Sequence, residues 1–202
     1  MIQCLRCKGI FLIMPRRESS HCNFDDDITG YEFLATLDFQ TCLVCGLLDR
    51  KRYKSYEDVP KCIHEGCRCT FIPITSATNA AYEERPAECA PFMQMARMRY
   101  QHRYPLKSWD RLSESTKRRY RFQEMNLYEQ ETGMSAYMQV NKADFKEWFY
   151  DLPAEYQEIY LGSERYSLFF NNSLKLENFV DMKNLREYTL DELQKEYRNG
   201  IQ

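Results

Sequence analysis

Residues 31–38 alternate: Tyr31, Phe33, Ala35 and Leu37 fall on one side, and Glu32, Thr36 and Asp38 on the other. Successive side chains of a strand point to opposite faces, so this two-residue period predicts a half-buried strand. Residues 51–53 predict a second short strand and residues 70–74 a third. Pro73 has no N–H to offer a neighbour, which places the third strand at a sheet edge. Residues 1–30 read as an irregular lead-in. Asp25-Asp26-Asp27 and Thr29-Gly30 form a solvated turn in this reading, because no EF-hand spacing and no closing Glu follow.

Beyond about residue 80 the period lengthens to that of helices. Residues 91–104 bring Met93, Met95, Met98 and Tyr100 to near-helical spacing, a packing stripe rather than a cofactor box. A second helix is predicted to start at Ser113 and stop at Gly133, where a residue without Cβ can take the left-handed cap. Others follow over about 142–151, from Pro153 to Gly162, and after a cap at Ser163. A last one runs from the capping box Thr189-Leu190-Asp191-Glu192 toward Tyr197. The pattern predicts an α+β protein, with a small antiparallel β core over residues 31–80 and a mostly α-helical region over residues 81–202.

Nine cysteines among 202 residues change this picture. The count is odd, the apolar run at residues 10–14 is too short for the centre of a secretory signal, and no stretch reaches the roughly 18 apolar residues of a membrane span. A reducing compartment is expected, with the cysteines as thiols or metal ligands. Cys42-x2-Cys45 is followed, after 18 residues, by His64-x2-Cys67-x-Cys69. Soft donors at such short spacings are what a tetrahedral zinc site requires, and a thiolate-rich set with no open position describes a structural ion. The β core would then be zinc-knuckle-like. Cys42, Cys45, His64, Cys67 and Cys69 compete for four places. Buried inert thiols and disulfides are the alternatives. Cys4-x2-Cys7, with His21 and Cys22 downstream, offers another pair, which could make a zinc ribbon with Cys42 and Cys45. Cys62 and Cys89 have no evident partners.

The net charge of −2 gives no overall field that selects nucleic acid or a membrane surface. Locally, residues 97–121 hold Arg97, Arg99, Arg103, Lys107, Arg111, Lys117, Arg118, Arg119 and Arg121 against Asp110 and Glu114, with Tyr100, Tyr104, Trp109 and Tyr120 interleaved. This segment reads in one of two ways. It is a contact for nucleic acid or an acidic partner through Arg111, Lys117, Arg118, Arg119 and Arg121, or it is a helix pair with a solvated basic face. No catalytic constellation stands out: with His64 taken as a metal ligand, neither His21 nor His102 neighbours an obvious nucleophile, and the sequence has neither a Gly-rich phosphate loop nor a G-x-S-x-G motif. A non-enzymatic protein is expected. His102, among Arg and Tyr residues, marks the place for the alternative, a nuclease-like activity.

Four motifs occur in order: Ala35-Thr36-Leu37-Asp38, Thr41-Cys42-x2-Cys45, Leu48-Asp49-x-Lys51 and His64-x2-Cys67-Arg68-Cys69-Thr70. Together they resemble the core of tailed-phage minor head proteins, the Mu F-like head morphogenesis family. Similarity continues at residues 113–120, 145–149, 161–169, 179–181 and 188–193, so it spans about residues 31–197. Arg50 stands at the family's turn glycine and Glu65 at its usual proline. Family members also carry a long helical region before this core, of which Arg16-Arg17-Glu18-Ser19 is an echo. The resemblance implies a structural protein of a phage or prophage head, shortened at the N-terminus. It would be assembled in the bacterial cytoplasm and resident in the virion interior, assisting head morphogenesis or DNA delivery. Its implied partners are portal and capsid proteins, with packaged DNA as a contact for the basic segment and no membrane. A phage-derived nuclease or toxin-type enzyme and a zinc-binding adaptor co-opted from a prophage are the alternative functions.

Overall fold

In the computed structural model, residues 28–60, 63–75, 84–141, 143–171 and 174–198 are described. Cys4, Cys7, His21, Cys22, Cys62, the acidic triplet at Asp25 and the Arg16-Arg17-Glu18-Ser19 stretch lie outside them. β1 (Ile28–Leu34) is the centre of a three-stranded antiparallel sheet, with β2 (Arg52–Tyr53) on one side and β3 (Thr70–Thr75) on the other. Tyr31 lies opposite Tyr53 and Phe33 opposite Phe71. Pro73 thus sits on an edge strand, as its missing N–H demands.

Two details differ from the alternating pattern. β1 stops at Leu34 because the Asp49 side chain takes the Ala35 N–H at 2.8 Å and draws the chain off the ladder. Leu37 then makes a single parallel bridge to Ala87. The face expected to be wet is dry at Glu32, whose carboxylate oxygens are held by Arg50 and Arg52 at 2.9 and 3.0 Å. Arg50 itself takes φ +63°, in the left-handed region that favours glycine. That left-handed backbone costs a side-chain-bearing residue about 1 kcal/mol. The Arg50–Glu32 pair and the Arg50 N–H to the Phe33 carbonyl, at 2.8 Å, offset the cost.

Directly after the cysteine pair begins, α1 (Leu43–Leu48) forms; its six residues are too few to display a helical period in sequence. β4 (Glu84–Glu88) pairs with β5 (Tyr137–Asn141), a ladder hidden by the charges and Pro86 of β4. β6 (Val180–Asp181) and β7 (Arg186–Glu187) are too short for alternation. The helices α2 (Phe92–Arg103), α3 (Glu114–Thr132), α4 (Phe145–Asp151), α5 (Ala154–Leu161), α6 (Ser163–Asn171) and α7 (Leu190–Arg198) follow in the predicted order. The protein is α+β. Among the described residues no helix is long and apolar enough to cross a membrane.

Helix ends carry the expected chemistry. Ser113 Oγ accepts the Thr116 N–H, and Gly133 closes α3 at φ +69°. Thr189 and Glu192 cap each other's N–H groups at α7. α4 starts later than predicted, because Asp144 and Glu147 form a capping box there. Ser163 is the first residue of α6 rather than its cap.

One hydrophobic core joins the two halves of the chain. Phe33, Leu37, Leu43, Val44, Cys45 and Leu48 belong to the same buried cluster as Phe145, Trp148, Phe149, Phe179 and Leu193. α1 lies so close to α4 that a Cβ on Gly46 would come within 2.3 Å of the Phe145 ring. α2 and α3 pack as a pair, with Ala96, Tyr100, Trp109 and Tyr120 in one cluster. Met93 and Met95 pack as the stripe predicts, whereas Met98 is exposed.

Candidate metal centre

Cys42 occupies the N-cap of α1, and its sulfur accepts the Cys45 N–H at 3.4 Å. One helical turn then carries Cys45 fully into the core. The neighbouring Leu43 N–H is held by Glu187 Oε1 of β7 at 3.0 Å, which anchors the start of α1 to the C-terminal half. The second cysteine group arrives on the loop entering β3. Gly66 turns at φ +75°, a conformation that favours glycine, and the Cys67 N–H closes on the His64 carbonyl at 3.3 Å. Cys67 and Cys69 face the first pair, while Arg68 between them reaches Asp38 with two hydrogen bonds, of 2.5 and 2.7 Å. That two-pronged pair fixes the orientation of the segment bearing both thiols.

Cys45 is the hub. Its sulfur lies 3.3 Å from His64 Nε2 and 3.7 Å from Cys67 Sγ. Around a tetrahedral zinc ion, with bonds of about 2.0–2.3 Å, the ligand-to-ligand edges are about 3.5 Å for nitrogen–sulfur and about 3.8 Å for sulfur–sulfur. The donors form two overlapping groups, Cys42, Cys45 and His64, and Cys45, Cys67 and Cys69, within each of which all atoms lie within 4.8 Å of one another. His64 Nδ1 is 2.9 Å from the Glu65 carbonyl. A carbonyl only accepts, so Nδ1 carries the hydrogen, and the neutral ring turns its Nε2 lone pair toward Cys45. These five residues can hold a metal ion. The described cysteines are free thiols, not disulfides.

Protons are shared unevenly within the cluster, with Cys42 and Cys67 lowered and Cys45 and Cys69 raised. Hydrogen bonds from Cys45 and Cys69 hold the Cys67 thiol down at about 2, and a hydrogen bond from Cys45 lowers Cys42 to about 7. Its hydrogen bonds to Cys42, Cys67 and Cys69, reinforced by burial, push Cys45 upward. Burial works against a charged His64, yet the Glu65 carbonyl and the sulfurs of Cys42 and Cys67 leave its pKa raised. A bound cation would displace the shared protons. Outside Cys42 lies a small cavity of about 120 Å³, bordered by Gln40, Thr41, Tyr160, Arg165 and Glu187.

The basic segment is compensated at Arg97, Arg99, Lys117 and Arg121. Arg121 turns inward, to Glu88 Oε1 at 2.9 Å and the Tyr137 hydroxyl at 2.5 Å, so it does not face a surface partner. Lys117 pairs with Glu114 at 2.8 Å, Arg99 with Glu124 at 2.9 Å and Arg97 with Asp110 at 3.7 Å. Arg111, Arg118 and Arg119 are exposed, Arg119 over the Tyr120 ring. His102 is exposed on α2.

Sequence reasoning missed the buried ionic supports of the site. The Asp49 side chain is completely buried, pairs with Arg85 and accepts the N–H groups of Ala35 and Phe145, each at 2.8 Å. Glu88 joins the Phe39 N–H, at 3.1 Å, to Arg121. The one available signal was the presence of Asp38 and Asp49 inside the motifs that surround the cysteines. No family model, curated protein or solved structure matches this chain.

Proposed function

We propose that this chain is a structural, non-enzymatic minor head protein of a tailed phage or prophage, with a zinc ion holding its cysteine cluster. The observation that carries the reading is the mutual engagement of the four motifs. Asp38 of the first binds Arg68 of the last, and the cysteines of the second and fourth meet at Cys45. Asp49 of the third accepts the Ala35 N–H of the first and ties both to Arg85 and Phe145. A set of motifs selected as one unit is expected to form such an assembly, and this supports the resemblance.

Zinc is the ion the donor set favours. Sulfur and imidazole donors at tetrahedral edge lengths, with no carboxylate in either group, suit a soft-to-borderline ion and not magnesium or calcium. Its role would be to tie α1 to the loop before β3. The proposed partners are portal and capsid proteins in the virion interior, with packaged DNA as the contact of Arg111, Arg118 and Arg119. Purification of assembled heads tests the reading. The protein should remain with the portal at low copy number through density-gradient separation, and elemental analysis should find about one zinc per chain. Recovery only as free protein in the lysate would overturn the head assignment.

A further inference from the structure

We infer that the tip of the α2–α3 hairpin is a sequence-independent docking surface for the phosphate backbone of duplex DNA, formed by Arg103, Lys107, Arg111, Arg118 and Arg119. This deepens the DNA contact proposed above and rests on that reading. All five side chains belong to exposed residues, and none forms an ion pair among the described residues. The carboxylates that could neutralise them are already engaged: Asp110 pairs with Arg97, Glu114 with Lys117 and Glu124 with Arg99. The chain as a whole is slightly acidic, so the tip is a positive island on a molecule whose remainder is negative.

The aromatic residues between these cations indicate which part of a nucleic acid they meet. Proteins that grip single strands expose rings on which bases stack. Here Tyr100 and Trp109 are buried with their ring centroids 5.6 Å apart, and Tyr104 and Tyr120 pack on Tyr100 at 5.0 and 5.3 Å. The two outer rings carry cations in turn. Lys107 and Arg103 lie over Tyr104 at 4.8 and 5.5 Å, and Arg119 lies over Tyr120 at 5.9 Å. The rings therefore act as a plinth that holds the charges outward. Guanidinium and ammonium groups presented this way meet phosphates, which carry no base code.

A duplex suits this surface better than other polyanions. It carries one negative charge per about 1.7 Å of its axis, so a surface built over the linked rings of Tyr104, Tyr100 and Tyr120 meets several phosphates at once. Four of the five cations are arginines, whose planar forks match phosphate oxygens two at a time. A protein partner would call for an aromatic anchor at the centre of its interface, and the rings of this cluster are spent on one another. Leu106 is wholly exposed at the tip. One leucine buries far less apolar surface than a single acyl chain, whose own hold on a membrane is marginal.

Fluorescence anisotropy of the full chain with a labelled DNA duplex, repeated over a series of salt concentrations, tests this. Log affinity should fall against log salt with a slope of about −4.5, five phosphates at about 0.9 each. Two duplexes of unrelated sequence should bind within about threefold of each other, and a single strand of equal length more weakly. Arg103→Gln combined with Lys107→Gln, and Arg118→Gln combined with Arg119→Gln, should each reduce the slope by about 2. Lys183→Gln, at an exposed position between β6 and β7, should leave it unchanged. All these substitutions fall on exposed side chains, and melting curves verify that each variant is folded. A wild-type slope near zero, an unchanged slope in both paired variants, or an equal loss in Lys183→Gln overturns the inference. Tighter binding to the single strand, to polyglutamate or to phosphatidylserine vesicles at the same salt overturns it as well. The head assignment is decided separately by recovery with the portal, so a failure here leaves it standing.

Discussion

Asp38 and Arg68 meet through two parallel hydrogen bonds, of 2.5 and 2.7 Å, and so join the segment beyond β1 to the residue between two thiols of the cluster. Asp38 is almost wholly buried, whereas Arg68 keeps 43% of its side-chain surface. Loss of Arg68 would leave the carboxylate with the Thr41 hydroxyl and the Gln40 N–H. Breaking a fully buried pair from one side costs about 3–5 kcal/mol; the exposure of Arg68 reduces the expectation for Arg68→Ala to about 2–3 kcal/mol. Zinc affinity should fall by about tenfold, since the pair orients Cys67 and Cys69. Arg68→Lys should recover only part of either quantity, because a point charge cannot span both oxygens. Urea denaturation and zinc competition measure the two effects; wild-type values in Arg68→Ala would mean that the pair contributes nothing.

Gly46 is expected to tolerate no side chain, although its backbone is ordinary helix. An added Cβ would lie 2.3 Å from a ring atom of Phe145, and that ring is fully buried in the core. Gly46→Ala should therefore destabilise by about 3 kcal/mol despite alanine's better helix propensity. Phe145→Leu in the same chain should restore part of the loss. Additivity of the two substitutions in a denaturation series would contradict the predicted clash.

Arg50 presents the opposite case, a residue whose backbone favours glycine. At φ +63°, Arg50→Gly removes the strain together with the Glu32 pair, and Arg50→Ala removes only the pair. The glycine variant should be the more stable of the two by about 1 kcal/mol. Equal midpoints in urea would show that the turn relaxes when the pair is lost.

Glu88 predicts a pH dependence. Burial raises its pKa above the ordinary carboxylate value, and Arg121 only partly opposes this. The folded protein thus holds the Glu88 proton more tightly than the unfolded chain does. Stability from this group is greatest in acid and declines as pH rises from the unfolded value through the raised one, by about 1.4 kcal/mol for each unit of the raise. Glu88→Gln cannot titrate, so wild type should lose stability relative to it as pH rises above the ordinary carboxylate range. Parallel pH profiles of the two proteins in urea unfolding would refute this assignment.

How much of this was legible in the sequence depended on the range of the interaction. The caps at Ser113, Gly133 and Thr189 act within one turn, so a few residues reveal them. The five members of the cysteine cluster were readable for the same reason, through their short spacings. Arg121 was not: its place in a basic run suggested a surface, and only the tertiary fold brings it to Glu88. Asp49 and Arg85 are a similar case, because a charge read in isolation defaults to solvent while its buried partner lies far along the chain. The Cys45 hub required the fold as well, since spacing places the donors near one ion without ranking them.

Metal removal should act on the whole protein through Cys45. This residue is both the hub of the donors and a member of the main core, and the next residue packs on Phe145 of α4. A ligand present at about a thousandfold above its dissociation constant stabilises by about 4 kcal/mol, so excess chelator should lower the melting midpoint by several degrees. Hydrogen exchange should rise first at residues 42–48 and 63–70, the two short elements that the proposed ion would join. Protection in α4 should fall next, while the α2–α3 pair, with its own cluster around Tyr100 and Trp109, should be the last affected. Added zinc should restore the original curve. An unchanged midpoint after chelation, together with no metal in the purified protein, would leave the cluster as buried thiols and remove the proposed tie between α1 and the entry to β3.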